Sequence, residues 1–205
     1  MAMKLHEVHP ALVHFPLALL PVSVGADLLG RVTGSEELLD LGRRTMPLAA
    51  ASGLVAGVAG LMAQTEVEAE GKSLDMLKTH RTLNLGLVAI AGAMSAYRAK
   101  RDRPSVGYLA LGIVGLAAMT YSAFLGGAIV YHHGVGVDAA DGVREEPAVP
   151  ELTRETTPRA LRTAVADLAK GIQVTVEESA KGDLIPSLTA RKKPNRLQGV
   201  RATDT

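Results

Sequence analysis

The sequence contains no cysteine. Disulfides, thiolate metal sites and iron–sulfur ligation are therefore excluded, and any metal would rest on histidine, carboxylate or methionine. Charge of one sign is also missing: 22 Lys and Arg stand against 21 Asp and Glu, for a formal net charge of +1. That removes the basic footprint of a nucleic-acid binder, so no nucleic-acid partner is expected. No nucleotide-binding loop, catalytic triad or HExxH helix can be picked out, and nothing assigns an enzymatic reaction.

Charge is absent altogether from residues 45–64 and 106–131. A bilayer core of about 30 Å takes roughly 20 helical residues to cross. Four apolar blocks meet that length, at about 11–32, 45–64, 79–96 and 106–131. A soluble bundle would repeat polar residues along one helical face, and these blocks do not. The expected fold is all-α: an integral membrane four-helix bundle over residues 1–137, followed by a polar, partly ordered C-terminal tail over 138–205. The lipid bilayer is then the first partner. Val24-Gly25-Ala26 resembles a signal-peptide cleavage site, but prolines at 10, 16 and 21 interrupt the apolar run and argue for a retained span. Pro16 and Pro21 should kink it. Ala49, Gly53 and Gly57 recur four apart, which allows close helix approach within the bundle or in a homodimer.

Loop charges set an expected orientation. Arg31, Arg43 and Arg44 lie between the first two blocks, and Arg98, Lys100, Arg101 and Arg103 between the last two. The middle loop instead holds Glu66, Glu68, Glu70 and Asp75 against Lys72 and Lys78. The positive-inside rule makes the basic loops cytoplasmic and both termini non-cytoplasmic, in a multi-pass protein of the plasma membrane. Tyr97 and Tyr108 would mark the inner interface, Phe15 and Tyr131 the outer one.

The polar tail shows a modest pattern. Thr157-Pro158 reads as a helix start and Gly171 as its stop, with Leu161, Val165 and Leu168 as an apolar stripe. Ile172, Val174 and Val176 alternate as a short strand would. Asp138–Pro150 reads as a linker, and Arg191–Arg196 is a basic cluster. This is too little to bury a core alone, so the tail is expected to be loosely ordered or docked on a partner.

The histidines carry the candidate chemistry. His9 and His14 open the first block, His80 opens the third, and His132 and His133 close the fourth, so all fall in one outer layer. His6 shares that layer and is expected to be solvated. Ionisable groups near the bilayer core are costly and tend to be functional. His80 and Asn84 are four apart, hence on one helix face. A helix N-terminus disfavours a cation, which keeps His14 and His80 in the neutral form that binds haem iron or metal. His132 and His133 sit about 100° apart and cannot both face inward.

In order and spacing, HPALVHFPLALLP at 9–21, HRTLN at 80–84 and GGAIVYHHGVGVD at 126–138 resemble the bacterial four-span membrane family called domain of unknown function 2231. The resemblance spans about residues 5–138. It implies four spans, and relatives with a Rieske iron–sulfur domain after the same spans imply electron transfer near the outer face. A tail without cysteine cannot hold such a cluster.

The leading expectation is a b-type haem held by His14 and His80, with His133 as substitute, relaying electrons to a redox partner protein at the outer face. The cofactor-binding candidates are His14, His80, His133, His9, His132 and Asn84. The alternative is a transition metal on His9, His14, His80 and His133, with Glu7 as the nearest carboxylate. The third expectation is a structural or transport protein with no cofactor, in which Asp27 lies on a proton path or snorkels to the inner interface.

Overall fold

The computed structural model describes residues 5–136, 156–182 and 184–189. Five long or bundle-forming helices come first in chain order: α1 (Leu5–Leu12), α2 (His14–Thr33), α3 (Glu36–Ala63), α4 (Gly71–Ala99) and α5 (Val106–His133). Two tail helices follow, α6 (Thr156–Ala180) and α7 (Pro186–Thr189). No strand occurs among the described residues. The Asp138–Pro150 linker and the Arg191–Arg196 cluster lie outside them, as do the side chains of His6 and Glu7.

Local chemistry starts and stops the helices where the bundle needs turns. Ser35 caps α3 by accepting from the Leu38 N–H at 3.3 Å, and Ser105 caps α5 through the Tyr108 N–H at 3.2 Å. Glu70 and Ser73 form a reciprocal capping box at the head of α4. Gly34, at φ 75°, closes α2 in the left-handed region that glycine adopts without strain. Only Gly34 and Ser35 separate α2 from α3, so the two must run antiparallel.

The first block differs from expectation at both ends. Helix begins by Leu5, not Ala11, and is interrupted at Val13. Pro16 has no N–H to close on the Leu12 carbonyl, which places the break one turn before it. His9 therefore lies within a helix.

Val8–Thr33, Glu36–Ala63 and Val106–His133 are long and apolar enough to cross a membrane. Helix α4 has the length, 29 residues, but is less apolar because it carries His80, Asn84 and Arg98. These polar groups bond to neighbouring helices or loop carbonyls inside the bundle, which is where a bilayer-exposed helix hides them.

The core is Leu20, Val24, Met46, Ala49, Ala91, Met94, Tyr108 and Leu109. The Ala49–Gly53–Gly57 stripe faces inward: a Cβ on Gly53 would lie 3.8 Å from Pro16 and Val88, and one on Gly57 3.6 Å from Val88. Its small residues serve packing within the chain. Tyr108, expected at the inner interface, is 5 % exposed and stacks on Tyr97 at 5.2 Å. Phe15 and Tyr131 are exposed.

The tail corrects the sequence expectation most clearly. Ile172, Val174 and Val176 form no strand; they continue α6, which runs through Gly171 to Ala180. Residues 172 and 176 are four apart and extend the Leu161–Val165–Leu168 stripe with helical period. Gly171 is not a stop but a contact point. A Cβ there would sit 2.0 Å from the Leu61 carbonyl oxygen, so only glycine lets α6 reach α3. The Gln64 amide donates to Gly171 O at 2.9 Å, and Lys78 pairs with Glu178 at 2.7 Å. Beyond α6, Thr82 donates to Leu184 O at 2.6 Å and the Ser187 N–H donates to Thr79 Oγ1 at 3.0 Å. The tail thus docks on its own bundle.

Candidate histidine site

Two helices offer the same seat to an imidazole. In α3, Ala56 and Gly60 are four residues apart; in α5, so are Ser122 and Gly126. A helical carbonyl points toward the residue four places on, and a glycine there leaves the oxygen open from the side. His9 Nδ1 donates to Ala56 O at 2.9 Å, with its ring where a Gly60 Cβ would come within 2.9 Å of Cε1. His80 Nδ1 donates to Ser122 O at 2.8 Å, with its Cε1 3.0 Å from the place of a Gly126 Cβ. Side chains at either glycine would fill these seats.

A carbonyl oxygen only accepts, so Nδ1 carries the proton in both rings and a neutral ring presents its lone pair at Nε2. Asn84 supports that tautomer in His80, since its Nδ2 lies 3.1 Å from Nε2. The same amide nitrogen reaches His80 O and Ser122 Oγ, each at 2.8 Å. Its two N–H groups face three acceptors, so Nε2 can be released while both stay bonded. The His9 and His80 ring centres are 6.5 Å apart with planes at 87°.

The ring beside His80 is therefore His9, not His14. His14 is exposed and its Nδ1 lies 3.3 Å from Ala11 O in its own turn. His132 and His133 are exposed at the end of α5. Helical spacing decides this: Val13 keeps helical backbone between α1 and α2, and five residues at about 100° each put His14 on nearly the opposite side from His9, which faces α3. Among the described residues, no group of three His, Cys, Asp or Glu is placed to hold a metal ion. Sequence reasoning missed the seats; the signal available was the glycine at 126 beside a histidine-rich helix end, and nothing comparable marks Gly60.

A second polar cluster lies toward the α2–α3 and α4–α5 turns. Asp27 on α2 and Arg98 on α4, both 0 % exposed, pair at 2.9 Å. The Arg98 guanidinium also donates to Leu39 O and Arg101 O, each at 2.7 Å, and the Tyr108 side chain borders Asp27. Gly42 is needed here, because a Cβ would fall 2.4 Å from Asp27 Oδ1. Arg98, read from sequence as a loop cation, is a buried partner, and Asp27 neither snorkels nor stands alone.

Residues 5–139 match the family described as predicted membrane protein (DUF2231), and the chain belongs to it. No curated protein and no solved structure matches the chain.

Proposed function

We propose that this DUF2231 membrane protein binds a b-type haem between His9 and His80 and relays electrons at the membrane face where its α3–α4 turn and tail helices lie. The observation that carries the reading is the duplicated seat. Each Nδ1–H is tied to a helix carbonyl, the arrangement that fixes tautomer and ring direction in ligating histidines. The two Nε2 lone pairs are what such a site has to give. The two ring centres lie 6.5 Å apart, and His9 and His80 would hold the group through their Nε2 atoms.

A donor set of two would suffice for haem, which can be held by one or two protein ligands, whereas a tetrahedral metal site takes three or four. The group would supply one-electron chemistry when bound. The chain's own residues orient the ligands: Ala56 and Ser122 hold the Nδ1 protons, Gly60 and Gly126 admit the rings, and Asn84 releases or covers His80 Nε2. His14, His133 and His132 are outside this pair. A redox partner would dock at the same face. The protein would sit in the plasma membrane with the loops at 34–35 and 100–105 cytoplasmic and both termini outside, as the positive-inside rule implies from Arg31, Arg43, Arg44, Lys100, Arg101 and Arg103.

The test is the visible spectrum of the detergent-purified protein, oxidised and then dithionite-reduced. A Soret band with sharp reduced α and β bands is expected, lost in His9→Ala and His80→Ala and kept in His14→Ala. A blank spectrum from cells with haem to spare refutes the haem. One observation favours a cofactor-free reading: His80 already has a partner at each ring nitrogen. The histidines would then tie α1, α3, α4 and α5 together as structural hydrogen bonds. That reading expects a blank spectrum, substoichiometric transition metal, and lower thermal stability in His80→Ala.

A further inference from the structure

Helix α6 is docked on the bundle by the wrong side for a soluble helix. At about 100° per residue, its residues sort into three sectors. The half-buried or buried ones, Ala164, Asp167, Leu168, Gly171, Val174, Thr175 and Glu178, share one side, and it is this side that meets Leu61, Gln64 and Lys78. It is small and polar for the most part. The aliphatic stripe is elsewhere: Leu161, Val165, Ile172 and Val176 are 65 %, 59 %, 47 % and 61 % exposed. They occupy an arc of roughly 60°, turned about a right angle from the docking side. The remaining sector is exposed and polar, with Arg162, Lys170, Gln173 and Glu177.

Bundle, apolar face and polar face at successive angles are what a helix meets when it lies flat on a bilayer against the flank of a spanning bundle. We infer that α6 is an interfacial helix whose Leu161–Val165–Ile172–Val176 stripe enters the lipid surface beside the bundle. The tail's path supports lipid as the occupant. Helix α6 meets α3 at Leu61 and Gln64, where the apolar Glu36–Ala63 span ends, and after α6 the chain bonds to Thr79 and Thr82 and exposes Leu184 and Leu188 there. The tail therefore lies at the level where a membrane-length apolar helix ends, which is where a lipid surface would be. A second copy is the poorer fit, because four aliphatic side chains fall far short of the roughly 20–30 residues a side of a stable interface.

The chain has no native cysteine, so single labels report cleanly. Ile172→Cys, Val176→Cys and Gln173→Cys are spin-labelled in the full chain and placed in nanodiscs of phosphatidylcholine with phosphatidylglycerol. Collision with oxygen, which concentrates in lipid, is compared with collision with a water-soluble nickel chelate. Labels at 172 and 176 are expected to favour oxygen several-fold over the label at 173, and the label at 173 to favour nickel. Equal nickel access at 172 and 173 would overturn the inference by placing the stripe in water. Spin–spin broadening at 172 that vanishes on dilution with unlabelled chain would overturn it in favour of a second copy. Shielding from both reagents without such broadening would mean that the chain covers its own stripe, and would overturn it as well.

Discussion

At the scale of single residues, the two buried polar clusters make opposite demands. Asp27 and Arg98 are fully enclosed and mutually compensating. Removing one partner strands the other charge, at a cost of about 3–5 kcal/mol. Asp27→Ala should therefore lower thermal stability in detergent by that amount, while the double variant Asp27→Leu with Arg98→Met recovers a large part of it. If the double variant were as unstable as the sum of both single ones, the pair would not be the source of the effect. The histidine seats depend instead on what glycine omits. Gly60→Val puts side-chain atoms where the His9 ring lies. It should lower bound haem as far as His9→Ala does, read as Soret absorbance per protein, whereas Gly25→Ala, with nothing within 4 Å of the added carbon, should leave it unchanged.

At the scale of elements, α6 is held by a short seam and should be the first helix to leave. Gly171→Ala sets a carbon 2.0 Å from the Leu61 carbonyl, a backbone contact that side-chain motion cannot relieve. Limited proteolysis should then cut within 156–180 at least several-fold faster, with α2–α5 still protected. The seam should also respond to acid. The Lys78 ammonium, with Lys181 beside it, holds the Glu178 carboxyl below its ordinary value of 4.5. A depressed acid stabilises the docked state fully above its undocked pKa, and the contribution fades as pH falls through the lowered docked value. Amide exchange in α6, corrected for its intrinsic pH dependence, should show protection that is flat from pH 7 to about 5 and falls below that. Lys78→Met should flatten the curve.

At the scale of the whole molecule, the proposed orientation makes a sided prediction. Single cysteines at Gly34 and Asp102 should react with an impermeant maleimide only from the cytoplasmic side of sealed vesicles. Cysteines at Glu68 and Lys181 should react only from the other side. Reaction of Gly34 and Glu68 from the same side would break the antiparallel crossing of α3. Reversed sidedness of all four would keep the bundle and overturn the orientation.

The sequence by itself determined the helical membrane bundle. Charge-free runs of bilayer length leave the backbone no other way to satisfy its hydrogen bonds in lipid. It also directed the expected chemistry to the histidines, since no thiol exists and the intramembrane charges are few. What only the tertiary structure decided was partnership. His9 meets His80 because carbonyls on two other helices, Ala56 O on α3 and Ser122 O on α5, seat the two rings side by side, and periodicity along the chain tells which face a histidine is on but not which helix lies against it. Arg98 left the loop count because Asp27 lies across the bundle from it, a relation between helices 71 positions apart. Gly171 looked like a helix stop because glycine's local preference is visible in sequence, while the carbonyl it must clear on α3 is not.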